Sequence, residues 1–221
     1  MQPLSQRWIG RMMKSHRMAL LLLTATLAVA DDVTPLFDGR TLAGWSVIEF
    51  GGEGAVKVLP DGVLEIGAGT QLSGLVNTNP LRRIDYELSL EGRRVEGSDF
   101  FCGLTFPVHT NSCTLVLGGW GGSLVGISSI NGNDASENET TQTCDFENGR
   151  WYKIRLKVTA RRIEVWLDER QLIKLDHAEH RLGMRWGDID RCVPLGLATW
   201  QTKGQLRNLT IRPVPPAPAD E

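Results

Sequence analysis

The chain has 221 residues with 24 Lys and Arg against 26 Asp and Glu, and its first thirty residues hold four of the bases and none of the acids. Without that segment the balance is 20 − 26 = −6, which argues against a nucleic-acid or anionic-membrane partner, since either needs a basic stripe. About 180 residues remain before a Pro-rich end, the size of one β-sandwich and enough to bury roughly 70% of the unfolded surface.

Arg7, Arg11, Lys14 and Arg17 precede an apolar run from Met18 to Ala30 that closes on Ala28-Val29-Ala30. That order, basic then apolar then small-x-small, marks a secretory signal peptide over residues 1–30, with a periplasmic or extracellular product. An uncleaved anchor is the other reading of the run. It falls short of the roughly 20 apolar residues a membrane helix needs, and no later stretch supplies them, so no integral span is expected after cleavage.

Period two dominates the chain beyond residue 50. Val56 and Val58 run into Pro60-Asp61-Gly62, and Val63, Leu64 and Ile66 leave it, a hairpin pattern. Ile84, Tyr86, Leu88 and Leu90 alternate with Asp85, Glu87, Ser89 and Glu91, which sends one set inward and the other to water. Further strands are expected over 100–108, 114–117 and 124–130. Tyr152, Ile154, Leu156 and Val158 alternate with lysine and arginine. After the turn 159–162, Ile163, Val165 and Leu167 repeat the pattern, which predicts a second hairpin. A short helix or turn is expected only over 177–187, and strands again over 195–200 and 206–211. Short strands with Gly-rich turns imply an all-β sandwich or barrel. The domain is placed at 31–212, with a disordered Pro-rich tail over 213–221.

Cys102, Cys113, Cys144 and Cys192 show no C-x-x-C spacing, which speaks against a zinc ribbon or thioredoxin-like site. Two disulfides, one bridge, or buried free thiols are all compatible with them, and the three possible pairings stay open.

Three features can carry chemistry. The loop Asn131–Thr141 packs Asp134, Glu137 and Glu139 into six residues. Such carboxylates can hold a divalent cation such as calcium or divide acid and base roles; a solvated surface loop is the plain alternative. Trp120 sits in Gly118-Gly119-Trp120-Gly121-Gly122, and Trp45, Trp186 and Trp200 also lie beside Gly or turn residues. An indole face suits the C–H face of a sugar ring, although tryptophans in sandwiches also belong to cores. Asp99 stands before Phe100-Phe101, where an apolar setting can turn a carboxylate into an acid or base, or where it simply caps a turn. The G-x-S-x-G elbow, the H-E-x-x-H motif and phosphate loops are absent.

Three segments resemble a known family: Pro35-Leu36-Phe37-Asp38-Gly39-Arg40-Thr41-Leu42-Ala43-Gly44-Trp45, then Asn148-Gly149-Arg150-Trp151-Tyr152-Lys153-Ile154-Arg155, then Leu206-Arg207-Asn208-Leu209-Thr210-Ile211. Together they are similar to the 3-keto-disaccharide hydrolase family of the concanavalin A-like jelly-roll class. The resemblance implies a secreted jelly roll that acts on sugars oxidised at C3. Family members carry an Asn-Ser-Gly-Ile-Phe-Phe-Arg-like strand, where this chain has Ser98-Asp99-Phe100-Phe101-Cys102-Gly103-Leu104. A Glu-x-Gln-like strand is replaced by Cys113-Thr114-Leu115-Val116-Leu117-Gly118, and a Leu-Gln-(Asp/Asn)-His segment by Ala198-Thr199-Trp200-Gln201-Thr202.

A 3-keto sugar is cleaved by removing the C2 proton and eliminating the C1 oxygen, which needs a base near C2 and a charge-stabilising group at the C3 oxygen. Asp99, Glu137 and Glu139 are the candidate catalytic carboxylates, and Trp120, Asp134, Trp200 and Gln201 the candidate contacts to a carbohydrate or oxidised sugar. A glycan- or surface-binding jelly roll without catalysis is the competing expectation. N-terminal sequencing of exported protein is expected to begin at Asp31; a sequence beginning at Met1 would refute processing after Ala30.

Overall fold

The structure, a computed structural model, describes residues 32–216; the expected signal segment and the last five residues lie outside them. The strands are β1 (Thr34–Pro35), β2 (Trp45–Val47), β3 (Val56–Val58), β4 (Leu64–Ile66), β5 (Leu72–Asn77), β6 (Tyr86–Glu96), β7 (Cys102–Val108) and β8 (Asn111–Gly119). They continue as β9 (Leu124–Ser128), β10 (Gln142–Thr143), β11 (Tyr152–Val158), β12 (Arg162–Leu167), β13 (Arg170–Asp176), β14 (Gly196–Trp200) and β15 (Lys203–Pro213). One sheet runs β13-β12-β11-β6-β15-β4-β3 with β1 on β15, and the other β10-β9-β8-β7-β14-β5-β2. All pairings are antiparallel. The fold is thus the all-β jelly-roll sandwich expected.

Alternation explains the first sheet. Leu88, Leu90, Ile154, Leu156 and Val165 are buried on one face, while their neighbours Glu87, Arg155 and Glu164 point the other way. The second hairpin has the expected register, with Leu156 opposite Val165 and Ile154 opposite Leu167, and the first pairs Val58 with Leu64. From the second sheet, Leu104, Phe106, Leu115, Leu117 and Ile127 close the core. Tyr86 spans the two layers, and its hydroxyl donates to the Pro107 carbonyl, which gives a buried phenol the partner it requires.

β7 is buried on both faces, so its sequence shows no clean alternation. The reason lies in the segment after β13, which crosses the outer face of the second sheet: the Ser129 and Gly183 backbones exchange hydrogen bonds, and Cys192 packs with Ala198 and Leu72. The short helix falls at Asp188–Cys192, just beyond the stretch 177–187, where the chain makes a turn at Ala178-Glu179 and a bridge at Leu182. At the other end, β15 continues through Pro213, and the buried Val214 donates its N–H to the Asp85 carbonyl. These residues complete the sheet rather than begin a tail.

All four cysteines are buried free thiols. Burial pushes the Cys102, Cys113 and Cys192 thiols up to about 12, so they stay protonated near neutrality and serve as small apolar side chains. Replacing Leu156 with Ala is expected to cost about 2–5 kcal/mol in chemical denaturation; a loss under about 0.5 kcal/mol, typical of surface positions, would contradict this register.

Candidate functional site

A cleft of about 390 Å³ opens on the outer face of the second sheet. Thr114 and Val116 of β8 reach it because Leu115 and Leu117, which alternate with them, face the core, and Ser128 of β9 stands opposite Thr114. Leu72 and Trp200 enter as paired residues of β5 and β14. The segment Arg185–Ile189 supplies another wall, and Asp99, Phe100 and Trp120 line the cleft from the turns flanking β7 and β8.

Its aromatic residues differ in exposure. Trp45 is core, its indole N–H donating to the Leu36 carbonyl. Trp120 is 44% exposed and Trp186 94% exposed. Trp120 also holds φ at +48°, a conformation a bulky residue adopts only when its surroundings impose it. The Arg185 guanidinium lies 5.6 Å from the Trp120 ring centroid. Its Nε is 3.3 Å from Asp134 Oδ2, and Ser128 Oγ donates to Asp134 Oδ1 at 3.2 Å. Asp134 is thereby tied to two cleft residues from behind.

Asp99 is both cap and cleft residue. Its carboxylate accepts the N–H of Phe100 at 2.7 Å and of Gly121 at 3.2 Å, while its own N–H donates to Thr202 Oγ1. Beneath it lies Arg94, which the sequence did not single out. Arg94 belongs to β6 in the opposite sheet and is only 7% exposed. Its guanidinium donates to the carbonyls of Asp99, Gly122 and Phe146 and to Asn148 Oδ1, at 3.4, 3.2, 2.8 and 2.7 Å. Burial lowers its pKa from the ordinary value, against the opposing pull of Tyr152 and Asp99, and an arginine remains charged under such a shift. Gly122, at φ +114°, places its missing Cβ within 2.9 Å of the same guanidinium, so a side chain there would displace the contact.

The acidic loop is built on Asn138, whose amide donates to the carbonyls of Ile127 and Asp134 at 2.9 and 2.6 Å and whose Oδ1 accepts from Thr140. This places Glu137 and Glu139 outside the cleft lining, exposed, with Glu139 paired to His180. Gln201 also stays outside: its side chain donates to the Thr70 carbonyl at 2.8 Å, and Gln71 lines the cleft instead. The structure thus gathers Asp99, Trp120 and Trp200, places Asp134 behind them, and leaves Glu137, Glu139 and Gln201 apart. Trp186 had a legible signal in its glycine-flanked setting; Arg185 and Asp188 had none. Among the described residues no three His, Cys, Asp or Glu side chains gather as a cation site would need.

A jelly roll with exposed indoles beside a cleft on one outer face defines a carbohydrate-related domain. Residues 32–212 match the family described as a 3-keto-alpha-glucoside-1,2-lyase-like domain, and the chain belongs to that family. No curated protein matches it. Among solved structures it is similar to a provisionally assigned glycosyl hydrolase from Parabacteroides distasonis, at 14% identity and TM-score 0.51 over 83% of this chain and 94% of that one. It is also similar to the carbohydrate-binding module CBM66 from Bacillus subtilis, at 14% identity and TM-score 0.52 over 76% and 95%. The VIP36 exoplasmic/lumenal domain, in its Ca2+/Man3GlcNAc-bound form, matches at 10% identity and TM-score 0.56 over 84% and 90%. At these identities the likeness establishes the fold.

Arg94→Ala removes the donor from several buried carbonyls at once, each worth about 1–3 kcal/mol when left unmet. The variant is expected to lose at least about 2 kcal/mol in urea unfolding; an unchanged midpoint would show that the guanidinium does not hold these turns.

Proposed function

We propose that the cleft binds a glycoside against Trp120 and Trp186 and that the protein cleaves 3-keto-glycosides there. The observation that carries this reading is the pair of exposed indoles on one cleft. An exposed indole is an unfavourable apolar surface in water, and a sugar's C–H face is a ligand that would cover it. Family membership adds the oxidised-sugar chemistry.

In this reading Asp99 is the base, because of the two carboxylates that line the cleft, Asp99 and Asp188, it is the one joined to the Trp120 turn, through the Gly121 N–H. The C2 proton passes to the carboxylate, and the electron pair of the C–H bond forms the C2–C3 enolate of the ketone. As the enolate collapses, the C3 carbonyl re-forms and the C1–C2 double bond forms while the C1–O bond breaks; that oxygen takes a proton and leaves as an alcohol, and water then adds at C1 of the unsaturated ketone. Arg185 is the cation in the cleft suited to the enolate oxygen. Asp134 would position Arg185 rather than meet the sugar. Glu137 and Glu139, on the acidic loop, take no part at the reacting atoms. Export to the periplasm or cell exterior completes the reading, supported by the leader pattern of residues 1–30; no helix among the described residues is long and apolar enough to cross a membrane.

One observation favours binding without catalysis: both Asp99 oxygens already accept backbone N–H groups. A panel of 3-keto-disaccharides and their unoxidised parents, with product analysis, separates the two. Catalysis predicts cleavage of the keto sugars alone, loss of about 10²-fold or more in turnover for Asp99→Asn, and roughly tenfold weaker binding for Trp186→Ala. Binding of both sugar sets with no product would establish the alternative, and an unaltered affinity in Trp186→Ala would remove the cleft.

A further inference from the structure

The outer face of the first sheet has an order that net charge conceals. Its strands align charged residues in rows across the sheet. One row reads Arg212, Glu87, Lys157, Glu164, Lys174 across five strands. A second reads Arg207, Glu91, Lys153, and a third Lys57, Glu65, Gln205, Arg93. Each of these three rows begins and ends on a cation and carries one positive charge more than negative, whereas Lys203 opposite Glu96 and Arg162 opposite Asp176 are balanced pairs and Asp168, bonded to the Lys153 backbone, offsets one of those charges. Arg155, between the first two rows, adds to that excess.

Depth enlarges the imbalance. Lys57 is 58% exposed over Glu65 at 13%. Arg155 and Arg212 are 40% and 36% exposed above Glu87, which is 4% exposed and pairs with both. Lys157 over Glu164 and Arg207 over Glu91 follow the same order. In these pairs the carboxylates lie against the sheet and the cations above them, so a molecule approaching this part of the face meets positive charge first; toward the end of β6 the order is reversed, where Glu96 is more exposed than Lys203. A depression of about 470 Å³ lies within this face, its charged lining made of Arg155, Lys157, Arg162 and Arg212 with Glu87 and Glu164.

We propose that this face is a second binding surface, separate from the cleft, for an acidic polysaccharide. Cations on alternate strands of a row stand roughly 10 Å apart, an array suited to a polymer with repeated anionic groups. The two indoles here are covered: the Trp151 centroid lies 4.5 Å from Arg93 Cζ and 4.1 Å from Arg207 Cζ, and that of Trp166 3.6 Å from Arg155 Cζ. Each ring thus already carries an arginine, which competes with base stacking, the contact single-stranded nucleic acid depends on, and favours a ligand recognised by charge.

The test titrates the full chain with polygalacturonate, an anionic polymer, and dextran, a neutral one. Polygalacturonate is expected to bind at low salt and to weaken by about tenfold or more as salt shortens the screening length, while any dextran binding is weaker, insensitive to salt and lost in Trp186→Ala. Lys153→Gln combined with Lys174→Gln, both exposed, removes two cations without placing like charges opposite Glu91 and Glu164, and should weaken binding several-fold with the melting temperature nearly unchanged. Trp186→Ala, in the cleft, should leave polygalacturonate binding intact, which separates this surface from the proposed sugar site. The proposal is overturned if polygalacturonate binds no better than dextran, if the double variant binds as well as the parent, if Trp186→Ala abolishes binding, or if single-stranded DNA or anionic vesicles bind more tightly than the polymer.

Discussion

A guanidinium taken out of water between two β-sheets loses its hydration, and Arg94 regains that solvation from the backbone of three separate segments. The exchange is favourable only if those segments stand where its fixed donor fork points. The turn before β7, the glycine turn after β8 and the Phe146–Asn148 stretch are therefore positioned together by one side chain from the opposite sheet. Phe146 also packs edge-on against Phe101 and Tyr152, with centroids 5.1 and 5.0 Å away. The apolar core and the buried cation thus meet at the end of the sandwich that carries Asp99 and Trp120.

The two outer faces solve different problems with the same strand geometry. On the first sheet, long side chains extend from alternate positions, and cross-strand pairing of opposite charges keeps their carboxylates low and satisfied. On the second sheet, many outward positions are small or modest, among them Gly103, Thr114, Gly126, Ser128 and Ala198, with Leu72, Val116 and Trp200 at the cleft the larger ones. Small residues let other chain segments lie close to the strands. The Phe100 ring lies over Gly103, and Ala135 lies over Gly126. The cleft is the space those segments leave between them.

The positions and burial of β6, β11 and β12 and the two hairpins of the first sheet were legible because these strands have one wet face and one dry one, which writes period two into the sequence, whereas β13 and the order of the strands were not. The second sheet was less legible, since its outer face is partly covered and the run 100–108 is apolar but for Thr105. The acidic loop drew attention for its density of carboxylates, yet Asn138 binds the loop's own backbone to β9 and turns Glu137 and Glu139 outward. Arg94 left no local signal. Its neighbours on the strand are charged as well, and only the pleat decides that Arg94 faces inward while Arg93 faces water. The basic face escaped notice for a related reason: net charge adds carboxylates and cations equally, whereas a ligand approaching the sheet meets them at different depths.

The departures from the family pattern have a physical counterpart in the second sheet. Where members carry a strand arginine after Phe-Phe, this chain has Cys102-Gly103, one residue in the core and the other beneath the Phe100 ring. Neither position offers a polar group to a ligand. Cys113 and Leu115, in the strand alongside, are core residues too. Polar contacts in the cleft are therefore supplied largely by turns and by the crossing segment, through Asp99, Arg185 and Asp188. Loops on a rigid sheet can change their ligand contacts without disturbing the core. Retention of the family fold alongside substitution of its strand motifs is the outcome that arrangement permits.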